Sequence, residues 1–216
     1  MSLAAARTDS RAAPRSERTR SAILAAAEAL FAERGFAETR LEDVAGAVGI
    51  RRASIVYYFA DKPALYDAVL ADVFETFRER LEPALLAPKP LSERALDAVS
   101  VWIDYLAERP ATARILLREV ADGRAGQEPR LVRHTRAFID LVGRAIAESG
   151  ENPLGDGDPT ESVHAASVIA GSSVFFVAAM PVLIPGLGFD PLDRATHDAH
   201  REQLLATARR LLGLTT

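Results

Sequence analysis

An all-α fold is what this 216-residue sequence predicts. Three observations predict it. Apolar residues recur at helical spacing in one segment after another, no segment alternates as a strand does, and capping residues, glycines and prolines punctuate the pattern where helices start and stop. About nine helices result: a three-helix N-terminal unit over residues 17–62 and a larger helical body over 63–216, preceded by an arm at 1–16. The arm is mostly Ala, Ser and Arg with no apolar period and reads as a solvated tail, within reach of a polyanion through Arg7, Arg11 and Arg15.

The first helix runs from about Glu17 to Arg34, because Ile23, Leu24, Ala27, Leu30 and Phe31 share one face, and Gly35 is a residue suited to end it. The second opens at Thr39-Arg40-Leu41-Glu42, read as a capping box, with Leu41, Val44, Ala45 and Val48 on its buried side. The third spans about Arg52 to Tyr58. Asp61 caps the fourth, whose first turn tolerates Pro63 and whose Leu65, Val69, Val73, Phe77 and Leu81 recur every four residues until Pro83 to Pro90. Leu96 to Leu106 mark a fifth, Pro110 to Val120 a sixth and Leu131 to Ile146 a seventh, with Gly-containing loops at 122–129 and 149–159. An eighth covers about Thr160 to Met180, a Pro/Gly segment follows to Asp193, and Leu204 to Leu212 mark a ninth.

Composition removes several function classes. There is no cysteine, which excludes disulfides, thiolate metal sites and a cysteine nucleophile and suits a reducing, cytoplasmic setting. Leu3 to Ala6 is too short for a signal-peptide core, and Arg7 interrupts it. No Ser-His-Asp or paired-carboxylate arrangement stands out, so no catalytic residue, cofactor or metal is expected. His197 and His200, three apart, are explained by a surface helix. Net charge is −4, yet residues 1–60 hold nine Arg against seven acidic residues, while the remainder holds 17 basic against 23 acidic. A basic head on an acidic body is the distribution that lets one end alone meet nucleic acid.

Residues 39 to 62 give that head its chemistry. Two short helices meet at Gly49, a residue free to take positive φ, with small Ala45 allowing close crossing and Val44, Val48, Ile50 and Ile55 locking the pair. The third helix then offers Arg51 and Arg52 at its N-terminal end, where a recognition helix meets base edges, with Ser54, Tyr57 and Tyr58 behind them. Arginine pairs bidentately with guanine. Thr39 with Arg40 at the start of the second helix, and Lys62 at the start of the fourth, sit where free N–H groups favour phosphate. The partner expected is double-stranded DNA.

The assembled pattern resembles the TetR family of bacterial transcriptional regulators. Gly35-Phe36, Thr39, Val44-Ala45, Gly49-Ile50, Tyr57-Tyr58-Phe59 and Lys62 carry the resemblance, over about residues 17–70. It implies a DNA-binding regulator, with Thr39, Tyr58 and Lys62 on phosphates and Arg51, Arg52, Ser54 and Tyr57 toward bases or nearby phosphates. Two positions depart from the pattern. Arg51 stands where a capping Ser is usual, and Val56 where an aromatic is common.

Two heads set ~34–36 Å apart read a palindrome, so the body is expected to dimerise. The eighth and ninth helices are the candidates, since no charged residue occurs from Ala165 to Phe189. A membrane span is disfavoured there by Ser167, Ser172, Ser173, Pro181 and Pro185. The resemblance further implies a pocket for a small-molecule effector among the middle helices. Trp102, Tyr105, Leu117, Phe138, Val142 and Phe175 are its candidate walls and suit an apolar compound. The reading is therefore a homodimeric regulator, a repressor released from its operator by an effector. Its rivals are an all-α enzyme with a vestigial head, and a helical adaptor that binds protein.

Overall fold

A computed structural model describes residues 15–122, 130–150 and 164–214, and the description below concerns these. They form ten α-helices and no strand. The arm up to residue 14, the loops at 123–129 and 151–159, and the start of the eighth predicted helix lie outside the described residues.

The head comprises α1 (Arg15–Glu38), α2 (Leu41–Val48) and α3 (Arg52–Tyr58). α1 starts within the predicted arm and passes beyond its predicted end. Gly35 kinks it at φ 81° and ψ 173°, and one further helical turn follows. At Gly49 (φ 73°, ψ 31°) the chain turns left-handed, and Ile50 N–H reaches back to the Ala45 carbonyl at 3.0 Å. These are the features of a Schellman helix end. Ile23, Phe31, Val44 and Ile55 are at most 1% exposed at the centre of this unit. Burial of each such side chain contributes about 1.5–3 kcal/mol, which is what holds three helices, two of them too short to stand alone.

Helix α4 (Lys62–Leu85) belongs to both halves. Leu65, Tyr66, Val69, Leu70 and Val73 pack into the head's core; Phe77, Leu81 and Leu85 pack into the body's. Asp61 caps its start, accepting from Ala64 N–H at 2.7 Å. Pro83 lies inside its last turns, and the helix ends at Leu85, within the Pro83–Pro90 stretch expected. The body continues with α5 (Leu91–Glu108), α6 (Pro110–Asp122) and α7 (Arg130–Ser149). A π-helical turn at Ser167–Gly171 then leads into α8 (Ser172–Ala178). The serines that interrupt this apolar run fold back on the backbone. Ser172 donates to the Val168 carbonyl and Ser173 to that of Ile169, so a helix rich in hydroxyls still buries Ser173. The helix breaks at Ala179. Short α9 (Met180–Leu183) and a 3₁₀ turn (Pro185–Leu187) follow before α10 (Arg194–Leu211), which Asp193 caps and which packs on α5. No helix among the described residues is long and apolar enough to cross a membrane.

Head and body meet through α6 as well as α4. Ile115 of α6 lies in the head's core. Arg109, the single residue between α5 and α6, pairs with Glu28 of α1 (2.5 Å) and Asp72 of α4 (3.0 Å), and Thr112 donates to Glu28 at 3.2 Å. Further along α6, Arg118 donates to the Ala32 and Glu33 carbonyls just before the Gly35 kink. From α4, Tyr66 donates to Glu119 at 2.7 Å; burial and that carboxylate raise the phenol's pKa, so it remains a donor.

Candidate nucleic-acid interface

The turn at Gly49 throws α3 outward. Only Ile55 of its seven residues is fully buried, and it anchors the helix to the head. Arg51, Arg52, Ala53, Val56 and Tyr57 are exposed, Tyr57 most of all at 81%. Ser54 and Tyr58 are half-buried, and Tyr58 accepts from Ser16 of α1 at 3.3 Å while its ring meets that of Tyr57 edge-on. Arg51 occupies the cap position of α3 in extended backbone and makes no side-chain cap, as its lack of an acceptor requires.

Beside α3 lies an open cleft of about 410 Å³ in which the starts of α2 and α4 converge. Arg40, Glu42, Arg52, Val56, Lys62 and Pro63 contribute to its walls. Two helix N-termini with a basic rim are suited to an anionic backbone. Arg52 forms an ion pair across the cleft, its Nε 2.9 Å from Glu42 Oε1.

The structure redistributes three of the expected roles. The cap of α2 is Arg40 rather than Thr39, and Arg40 N–H donates to Asp43 at 3.1 Å; this is the only half of a capping box that forms, one residue later than the Thr39–Glu42 reading, since arginine has no acceptor to complete it. Thr39 is fully buried, and its hydroxyl donates to the Gly35 (2.8 Å) and Leu30 (3.2 Å) carbonyls. Its side chain therefore finishes α1 and does not reach the surface. Lys62 directs its ammonium to three carbonyls, those of Phe36, Ala37 and Thr39, at 2.8–3.1 Å, and lies 4.6 Å from the Phe36 ring centre. All three of its protons are committed to the α1–α2 corner.

In the body, Trp102, Tyr105 and Phe138 do gather, with ring centres 5.1, 5.3 and 5.7 Å from Phe77, and Val142 packs against the same cluster. Tyr105 is wholly buried, donates to the Val73 carbonyl at 2.7 Å and has its pKa pushed up to about 12 by that burial. The indole N–H of Trp102 is buried without an acceptor among the described residues. Leu117 and Phe175 do not join them: they are 37% and 47% exposed, Leu117 on α6 and Phe175 on α8. Phe175 instead lines an apolar groove of about 350 Å³ between α8 and α10, with Phe176, Met180, His200, Gln203 and Leu204.

Three contributors escaped the sequence reading. Phe77, the hub of the aromatic cluster, was legible only as one member of a helical stripe. Glu42 was absorbed into a capping box. Glu28 did leave a signal, a lone carboxylate between Leu24 and Phe31 on the buried face of α1.

Residues 23–69 match the family described as bacterial regulatory proteins, tetR family. Over that stretch, most of the head and the start of α4, the chain is similar to the TetR family. Among its relatives, the HTH-type transcriptional regulator RutR of Escherichia coli K12 is 31% identical over 133 residues, 58% of this chain and 59% of RutR. The matched stretch thus spans less than two thirds of that relative. The transcriptional repressor NicS of Pseudomonas putida KT2440 is 29% identical over 186 residues, 84% of this chain and 86% of NicS. A TetR family regulator from Marinobacter aquaeolei VT8 superposes with a TM-score of 0.70 at 18% identity, over 91% of this chain and 96% of that one. The regulator FadR from Bacillus halodurans gives 0.62 at 17% identity, over 91% and 93%. These two likenesses speak for the fold.

Proposed function

We propose that this chain is a TetR-family, effector-responsive DNA-binding regulator that acts as a homodimer on a palindromic operator, and that it represses. One observation carries the reading: α3 is held outward by the Gly49 turn with Arg51, Arg52 and Tyr57 uncovered at its surface, beside a cleft where two helix N-termini meet. The relatives RutR and NicS, named a regulator and a repressor, support it.

In this reading residues 17–62 form the DNA-binding unit and 63–216 the body. Arg52 and Tyr57 face bases and Arg51 a base or the adjoining phosphate, with Ser54 and Tyr58 beside them. Arg40 takes a phosphate. Thr39 and Lys62 act from behind, by fixing the backbone at the starts of α2 and α4 that meets the phosphates. The body pairs through α8 and α10, where Phe175 and the groove beside it offer apolar surface. The effector enters at the cluster of Trp102, Tyr105, Phe138 and Val142. The unpaired Trp102 N–H there supports a compound that is mostly apolar and carries one hydrogen-bond acceptor. DNA selects one spacing of the two heads and effector another. A shift from 1:99 to 99:1 requires ~5.5 kcal/mol of differential affinity.

A salt titration on an operator selected from random duplexes tests this. Affinity is expected to fall steeply and linearly in log–log form, with a slope of about −0.9 per phosphate neutralised. A flat profile, or failure to select any duplex, returns the chain to the helical-adaptor reading.

A further inference from the structure

The geometry points to Glu42 as a positioning residue for Arg52, an inference that rests on the DNA reading above. Glu42 is the second residue of α2, and its carboxylate is exposed on the wall of the cleft proposed to receive the DNA backbone. An acidic group there is costly. It is acceptor-only and can offer a phosphate nothing but repulsion. It also starts the helix that crosses the backbone rather than the one that meets base edges, which leaves it poorly placed to accept from cytosine. Its partner explains its presence.

Glu42 Oε1 lies 2.9 Å from Nε of Arg52, the nitrogen nearest the aliphatic stem, and no described residue hydrogen-bonds the two terminal nitrogens of that guanidinium. A carboxylate at Nε restrains the stem while the outer edge, the pair of donors that matches guanine O6 and N7, stays open. Arg52 is otherwise a long side chain, 61% exposed, on a helix of seven residues that has no side-chain cap. Left free it would give up rotamer entropy each time it bound a base. Glu42 removes part of that cost in advance and, through its charge, weakens non-cognate binding. The first favours the cognate duplex and the second disfavours the others, so both raise discrimination.

The test uses the full-length chain and three duplexes: the selected operator, the same operator substituted at the base pair whose preference Arg52→Ala abolishes, and a random sequence. Glu42→Gln keeps the shape of the side chain and removes its charge; Glu42→Asp keeps the charge and shortens the reach. Both are expected to cut discrimination between the first two duplexes by about three- to five-fold, the scale of an exposed ion pair. Glu42→Gln alone should bind the random duplex more tightly. In the Arg52→Ala background neither change should alter discrimination. A merely structural role would shift melting temperature and leave the ratio between duplexes unmoved. If Glu42→Gln tightens all three duplexes by a common factor, Glu42 is only a repulsive charge and the inference fails while the DNA reading stands. If the wild-type chain selects no duplex, both fall together.

Discussion

At the scale of the residue, Gly49 bears the most. Its left-handed φ of 73° is what turns α2 into α3, and among the described residues nothing beyond its own chain neighbours lies within 4 Å of where a Cβ would sit. Substitution there is therefore a question of backbone conformation, uncomplicated by collision. Gly49→Ala is expected to cost about 1–2 kcal/mol in chemical denaturation; unchanged stability would show that the turn relaxes to a right-handed form. Gly35 differs, because a Cβ there meets Arg118 Nη1 at 3.1 Å, so a packing cost adds to the strain. Both glycines were legible in the sequence, since positive φ is a local demand that a residue type answers. Thr39 and Lys62 were not. A threonine before an apolar run reads as a cap whichever way its hydroxyl points, and only the tertiary corner made by Phe36, Ala37 and Thr39 reveals that Lys62 is occupied.

At the scale of the element, the helices were readable where their faces are one-sided and blurred where they are not. α4 shows the first case, with apolar residues at every fourth position serving two cores in succession. The region from residue 164 to 187 shows the second. It is uncharged all round, so periodicity says helix but cannot place the π turn at Ser167–Gly171 or the break at Ala179. The gathering of the candidate effector walls was legible only in part for a related reason: composition finds the residues, and Trp102, Tyr105, Phe138 and Val142 do cluster, but whether Leu117 or Phe175 joins them depends on which helix lies opposite. What joins the elements is the Arg109 junction. Its side chain is 21% exposed and that of Glu28 only 10%, so loss of the guanidinium leaves a largely buried carboxylate with Thr112 as its remaining hydrogen-bond partner among the described residues. Arg109→Met is expected to destabilise the fold by about 1.5–3 kcal/mol, the worth of hydrogen bonds to a charged group. The measurement is urea denaturation at neutral pH, with partial recovery expected in the Glu28→Gln double variant; strict additivity would show that the two residues do not act together.

At the scale of the whole molecule, His200 makes the packing of α10 on α8 sensitive to acid. Its ring stacks on Phe176 at 3.8 Å and 4°, and its Nε2 is buried with no hydrogen-bond partner among the described residues. Burial first, and His197 second, lower its pKa to about 4. Around it, α8 carries no ionisable residue, α5 presents Asp104, and α10 itself supplies His197 and Arg201, the latter already paired with Asp104. A depressed folded-state pKa stabilises fully above the unfolded value near 6.5 and is lost as pH falls toward 4. Melting temperature should therefore drop through that window. In His200→Phe the drop should be smaller, and an identical pH profile would exclude the imidazole as its source. At the opposite end of the molecule, Lys62 shapes how any such disturbance is felt. By grasping three carbonyls of the α1–α2 corner from the first residue of α4, it removes play at the joint. In the proposed regulator a tilt imposed on α4 far away would carry the α1–α2 corner with it, as with a handle brazed rather than hinged to its blade.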